Sequence, residues 1–272
     1  MKTLAIIIAL IVGVLGLHFL LPGKSSAQSQ SSRSAAISPQ ALSTMGTQIN
    51  NVLGANQAVD ISVTVTNLKT GQSESYGPAV AYEAASVAKL ITAADLLHQT
   101  ENGQQKLAET LEDGNSASYD LRQMVVMSDN SAWQSLTDQL TLDNLGAYSQ
   151  SIGINDYDLN DNTLQSADIA RLLQKLYNGT LLNNADTKLL LDYMKIANEN
   201  GFIPPVVPQG VTVYHKAGVL DDRIHDAAII ADPNRPVSVV IFTNGHGIGD
   251  DAARTAAIQA ITKAVLAAYD IK

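Results

Sequence analysis

The feature that most constrains the fold is a hydrophobic period that changes twice along the chain. Asp60–Leu68 alternates Ile61, Val63 and Val65 with Ser62, Thr64 and Thr66, the period of a strand with one face buried. Lys69-Thr70-Gly71-Gln72 then supplies turn chemistry, and the chain returns towards Tyr76 as the second arm of a hairpin. From Ser86 to about Tyr193 apolar residues recur at helical spacing: Val87, Leu90, Ile91, Ala94 and Leu97, and later Leu121, Met124, Val125, Trp133, Leu136 and Leu140. Ile169, Leu172, Leu173 and Leu176 continue the same spacing. Strand patterns resume after Pro204-Pro205 and Pro208, over Val211–Ala217, Ile224–Ala231 and Val237–Thr243.

The two ends of this body are helical. Ser38-Pro39-Gln40 reads as an N-cap with proline at the first helical position, followed by Leu42, Met45, Ile49, Val52 and Leu53 on one face. Asp251 to Tyr269 is alanine-rich and helical. The links between strands are short and favour antiparallel neighbours, so the five strands are expected to close into one sheet. The predicted fold class is α/β of the α+β kind: a five-stranded antiparallel sheet flanked by N- and C-terminal helices, with an all-helical lobe inserted. The predicted division is a sheet lobe of residues 37–85 plus 209–272 and a helical lobe of residues 86–208, together one domain over 37–272.

Apolar content is unevenly spread. Residues 1–27 carry 17 apolar side chains and no acid: a basic start at Lys2, an apolar run from Leu4 to Leu21, then Pro22-Gly23-Lys24-Ser25-Ser26-Ala27. That layout is a secretory signal peptide ending at Ala27, or an uncleaved anchor, since the run is about as short as a spanning helix can be. Either way the body is expected to be exported: secreted, or held at the outer face of the cytoplasmic membrane through residues 4–21. Residues 28–36 are a Ser- and Gln-rich spacer with little to bury. The formal charge of −9 becomes −11 without the leader, which takes Lys2 and Lys24 with it.

An acidic body with no basic stripe is unsuited to nucleic acid. The absence of cysteine excludes thiolate metal sites, disulfides and cysteine nucleophiles together. His98, His215, His225 and His246 show no ligand spacing, so neither metal nor cofactor is expected. A monomer is expected.

Three short patterns carry chemistry. Ser86 and Lys89 are three positions apart at a helix start, where a lysine among apolar neighbours can lose its proton and act as base for the serine. Taken alone, Ser86 reads as a helix N-cap. Ser128-Asp129-Asn130 lies between two helical segments: Ser128 can pass a proton to a leaving nitrogen and Asn130 can bind a substrate amide, or the segment simply caps a helix. Lys216-Ala217-Gly218 stands on an apolar strand, where Lys216 either holds a substrate carboxylate or is a solvated edge-strand residue.

Their order is what distinguishes them. Ser-x-x-Lys after a hairpin, Ser-Asp-Asn between helices, and Lys-x-Gly on the first strand after the helical block resemble the class A β-lactamases and their penicillin-binding relatives. The resemblance covers roughly Ile37 to Tyr269 and implies a β-lactamase-like fold. It implies that Ser86 is the acylated nucleophile, Lys89 its base or part of its proton relay, Ser128 the proton donor to the departing nitrogen and Asn130 the amide ligand. Lys216 would stabilise the substrate carboxylate, and the backbone N–H groups of Ser86 and Val219 would form the oxyanion hole. Ala217 stands where the family carries a hydroxyl, which removes one carboxylate ligand; Arg223, in the turn after Asp221-Asp222, is either a replacement cation or a solvent-facing turn residue. His225 reads as structural. The implied substrate is a β-lactam or a peptidoglycan peptide.

Turnover depends on a further segment. The family pattern Glu-x-x-Leu-Asn reads here Asp156-Tyr157-Asp158-Leu159-Asn160, so Asp156 would activate the deacylating water and Asn160 would help hold it. Aspartate is one methylene shorter, which sets its carboxylate about 1–1.5 Å further from the water. Asp156 reads equally as a surface acid of an Asn/Asp-rich loop. That loop is short, and Ile154 stands where the family has an arginine that closes it. The leading expectation is therefore a serine hydrolase that turns over slowly, with a D-alanyl-D-alanine peptidase or other amidase/esterase, and a non-catalytic wall-binding relative, as alternatives. An anionic substrate further requires Lys89, Lys216 and Arg223 to make a positive pocket against the acidic background.

Overall fold

The structure, a computed structural model, describes residues 37–247 and 250–272; the leader and the Ser/Gln-rich spacer lie outside them. Helix α1 (Pro39–Ala55) starts where Ser38 accepts a hydrogen bond from the Ala41 N–H, with Pro39 at its first position. Strands β1 (Asp60–Asn67) and β2 (Ser73–Tyr76) form the expected hairpin, with Gly71 at φ +76° in its turn.

The helical block comprises α2 (Lys89–Glu101), α3 (Ala117–Val126), α4 (Asn130–Leu140), α5 (Leu142–Ser151), α6 (Ser166–Tyr177) and α7 (Asn184–Lys195). Strands β5 (Thr212–Leu220), β6 (Arg223–Ala231) and β7 (Val237–Asn244) follow, then α8 (Asp251–Ala268). The sheet is antiparallel with order β2-β1-β7-β6-β5, so the strands flanking the helical block occupy opposite ends. A two-stranded piece was not foreseen: β3 (Tyr82–Glu83) pairs with β4 (Thr163–Leu164). Two residues are too few to show a period.

Two apolar cores cover the sheet's two faces. Met45 and Ile49 of α1 and Ile258, Ile261 and Val265 of α8 pack on Ile61, Val63, Val239 and Ile241. On the other face Leu90, Leu121, Leu136, Ile169 and Leu172 join Ala227, Val240 and Phe242. Covering both faces overturns the reading of β1 as half-buried. Its polar alternates are buried as well and are satisfied by hydroxyls: Ser62 and Thr64 bond the Ser166 hydroxyl at the start of α6 at 2.9 and 2.8 Å, and Thr66 bonds Ser73 at 3.0 Å.

Candidate active site

Ser86 lies in a 3₁₀ turn, Ala85–Ala88, that runs into α2. Three residues per turn eclipse positions i and i+3, which brings Lys89 Nζ to 3.0 Å from Ser86 Oγ. The N-cap alternative is not realised, because neither the turn nor α2 has a side-chain cap. Ala85 is held at φ +48°, a conformation that costs a residue with a Cβ. Surrounding bonds over-determine it. Ala84 N donates to Asn162 O at 2.8 Å, Asn162 Nδ2 donates to Ala85 O at 3.1 Å, and His225 Nε2 donates to Glu83 O at 2.8 Å.

Lys89 is fully buried. Its Nζ also donates to Ser128 O at 2.6 Å and to Asn130 Oδ1 at 2.7 Å, and lies 5.2 Å from the centre of the Trp133 ring. Burial, reinforced by the charge of Lys216, lowers its pKa to about 7, against the opposing pull of Glu199 and Asp129. Lys216 Nζ donates to Ser128 Oγ at 2.8 Å and to the Ala217 carbonyl at 3.1 Å. Burial lowers Lys216 to about 8. Although β5 is an edge strand, Lys216 is not solvated, because the Ala85–Ala88 turn packs along that edge.

Ser128 has φ +59°. Its hydroxyl meets one lysine and its carbonyl the other, so a single strained residue joins both cations. Asp129 is the cap of α4, accepting from Ser131 N at 2.7 Å and Ala132 N at 3.0 Å, which leaves Ser128 and Asn130 free of the capping role.

These groups open onto a cleft of about 610 Å³ whose walls include Ser86, Asn130, Trp133, Asn160, Val219 and Leu220. A Cβ added at Gly218 would lie 3.0 Å from Ala84 O and 3.1 Å from Ser86 N, so glycine is what lets β5 approach the Ser86 turn. Ala217 is buried, and Val219 and Leu220 are exposed at the cleft.

Other expected residues are placed differently. Asp156 is exposed and is not among the cleft-lining residues; its charge is felt instead at Asp168, in the first turn of α6. Asn160 reaches the cleft, but the asparagine bonded to the Ala85–Ala88 turn is Asn162, at φ +51°. Ile154 is buried, and the loop is closed from the other side by Arg171, which donates to Gly153 O and lies 3.6 Å from Asp168. Arg223 is neither a free cation nor solvent-facing: its Nε lies 3.0 Å from Glu83 Oε2 and its Nη1 2.6 Å from Asp222 Oδ1. His225 is structural, as read. It is fully buried against Phe242, its Nδ1 accepts from Thr243 N at 3.0 Å, and burial lowers it to about 4.

The requirement for a positive pocket is therefore only partly met. The two lysines are buried with lowered pKa values, Arg223 is already paired, and the cleft wall carries the carboxylates of Glu83 and Asp138. Three residues escaped the sequence reading. Trp133 looked like part of an apolar face, although it follows Asn130 by three on α4. Glu83 stands three residues before Ser86 and gives no pattern. Glu199, at φ +63°, pulls on both lysines because Asn198 docks beside Ser128, donating through N to Val126 O at 2.8 Å and through Nδ2 to Met127 O at 3.1 Å.

Known proteins share this architecture. The structure of PBP-A superposes with a TM-score of 0.78 at 22% identity, over 84% of this chain and 97% of that one. A β-lactamase from Sphaerobacter thermophilus gives 0.76 at 20% identity over 85% and 98%, and one from Xanthomonas campestris pv. campestris gives 0.75 at 19% over 84% and 97%. No curated protein is similar enough in sequence to count as a relative. The Beta-lactamase enzyme family itself matches residues 44–269. With that match over most of its length, and with the β-lactamase fold, the chain belongs to the Beta-lactamase enzyme family.

Proposed function

We propose that the protein is an exported serine hydrolase that β-lactams acylate on Ser86 and that releases the product slowly. The observation that carries this reading is the bonded array of Ser86, Lys89, Ser128, Asn130 and Lys216 at one cleft. Ser86 Oγ attacks the lactam carbonyl and its proton passes to neutral Lys89 Nζ, an amine half deprotonated near pH 7. The oxyanion is stabilised by the N–H groups of Ser86 and Val219, each such donor being worth roughly 3–4 kcal/mol. The C–N bond breaks as Ser128 hands its proton to the nitrogen, leaving an ester on Ser86. Lys216 attracts the substrate carboxylate, while Asn130 takes the side-chain amide.

Deacylation is slow in this reading because Asp156, the residue expected to activate water, is exposed and outside the cleft wall. The same observation favours a second reading, a D-alanyl-D-alanine peptidase of the penicillin-binding kind. Among the structural neighbours, a PBP-A variant is an acyl-enzyme complex with penicillin G. Export through residues 1–27 to the cell envelope completes the proposal, since peptidoglycan peptides are met there.

Mixing the purified protein with a chromogenic cephalosporin, while following absorbance and intact mass, tests it. A stoichiometric burst, a mass increase on Ser86 and a slow steady rate are expected, and Ser86→Ala should abolish all three. Fast turnover without an accumulating adduct refutes slow release, and no adduct with either a cephalosporin or a D-alanyl-D-alanine peptide refutes the mechanism.

A further inference from the structure

Arg223 opens β6 and pairs in register with Leu220, across the turn that ends β5. Side chains alternate along a strand: Ile224 enters the core under α1 and α8, whereas His225 lies against Phe242 on the opposite face. Arg223 therefore shares the face of His225, the face on which Leu220 borders the cleft. One guanidinium here meets two carboxylates, Glu83 at 3.0 Å and Asp222 at 2.6 Å, and Asp222 also feels the charge of Arg254.

The two carboxylates are not equivalent. Asp222 is bound a second time, through Oδ2, by the Gly247 N–H, which holds its carboxyl below the usual range; its side chain is 14% exposed. Glu83 has a side chain 36% exposed and stands in the cleft wall, and among the described residues Arg223 is the partner of its carboxylate. Glu83 is therefore the partner that can leave: a partly exposed pair is weak enough to exchange, and a guanidinium fork freed at Nε suits another carboxylate.

We propose that Glu83 is a displaceable counter-ion that occupies Arg223 in the free protein, and that a substrate carboxylate entering the cleft takes its place. The proposal rests on the β-lactam reading above and adds a specificity-determining residue to it. Displacing Glu83 weakens the capture of anionic substrates and leaves uncharged ones unaffected, so this one side chain sets the preference between them.

Glu83→Gln keeps the shape of the side chain and can still accept from Arg223, and the bond from His225 to residue 83 is made by the backbone. The experiment compares acylation of the whole protein by benzylpenicillin and by its methyl ester, read as kcat/KM for adduct formation. The expected result in Glu83→Gln is roughly a 3- to 10-fold increase for the acid, with the ester unchanged within about 2-fold. In an Arg223→Gln background the same substitution should leave the acid-to-ester ratio unaltered. A gain that persists without Arg223 overturns the proposal in favour of general repulsion in the cleft. Equal losses for acid and ester also overturn it, because Glu83 would then only brace the turn. Acylation of the parent protein by neither compound removes the substrate reading itself, and this proposal falls with it.

Discussion

The floor of the cleft and the 154–165 loop that borders it were built to different standards. On the floor, Ser86, Lys89, Ser128, Asn130 and Lys216 come from separate elements and are tied by bonds of 2.6–3.0 Å. In the loop, Asp156 is exposed, Asn160 is steadied by its own backbone N–H on Asp158 Oδ1, and Asn162 alone reaches back to the nucleophile turn. Both regions carry a positive φ, at Ala85 and Ser128 on the floor and at Asn162 in the loop, and on the floor neighbouring bonds tie the strained residues to one another. In the proposed function this contrast would separate making the acyl-enzyme from breaking it, with the groups for the first step tied together and Asp156, expected to serve the second, left outside the cleft wall.

Three variants press on that contrast, in decreasing order of effect. Lys89→Met should cut the acylation rate by roughly 1,000-fold, because both the base and the group positioning Ser128 are lost. In the parent, acylation kcat/KM should climb up to about pH 7 as Lys89 loses its proton, and decline above about pH 8 as Lys216 loses its charge; a flat profile across this range breaks the assignment. The same variant should melt higher than the parent. Lys89 titrates at about 7 in the fold against 10.5 when exposed, so between those values the unfolded chain binds more protons and parent stability rises with pH. The melting advantage of the variant should therefore shrink as pH rises from 7 towards 10.5.

Next, Gly218→Ala should slow acylation by about 100-fold and lower stability, since its methyl would press on Ala84 O and Ser86 N. Stopped-flow acylation together with thermal melting reads both. The smallest effect is expected where the loop is least built. Asp156→Asn should change the lifetime of the adduct by less than about 2-fold, and a tenfold longer lifetime by intact mass would return Asp156 to the mechanism.

What could be read from the sequence, and what could not, follows from the range of the signals. Strand and helix periods are repeated over many residues, and Ser86, Lys89, Ser128, Asn130 and Lys216 sit in short motifs whose order is informative. The placement of Asp156 depended on loop length and on where the loop is fastened. That fastening is done by two-residue pairing of Glu83 with Thr163, and by Arg171 reaching Gly153, neither of which leaves a period. Positive φ at Ala85 and Ser128 is equally silent, because alanine and serine do not announce it as glycine would. The partnership of Arg223 with Glu83 joins residues 140 positions apart, one in a two-residue strand and one at the first position of β6, so no local rule connects them.

The three acceptors around Lys89 have a consequence for the direction in which a proton can travel. As an ammonium, Nζ has three N–H bonds and three oxygens to receive them: Ser86 Oγ, Ser128 O and Asn130 Oδ1. When the proton leaves, one of these links must reverse, with the nitrogen lone pair accepting. The two carbonyl oxygens have no hydrogen to give, whereas the Ser86 hydroxyl has one. Deprotonating the lysine therefore orients the serine O–H towards it, and the inventory of donors, rather than any movement of the chain, aims the Ser86 proton at Lys89.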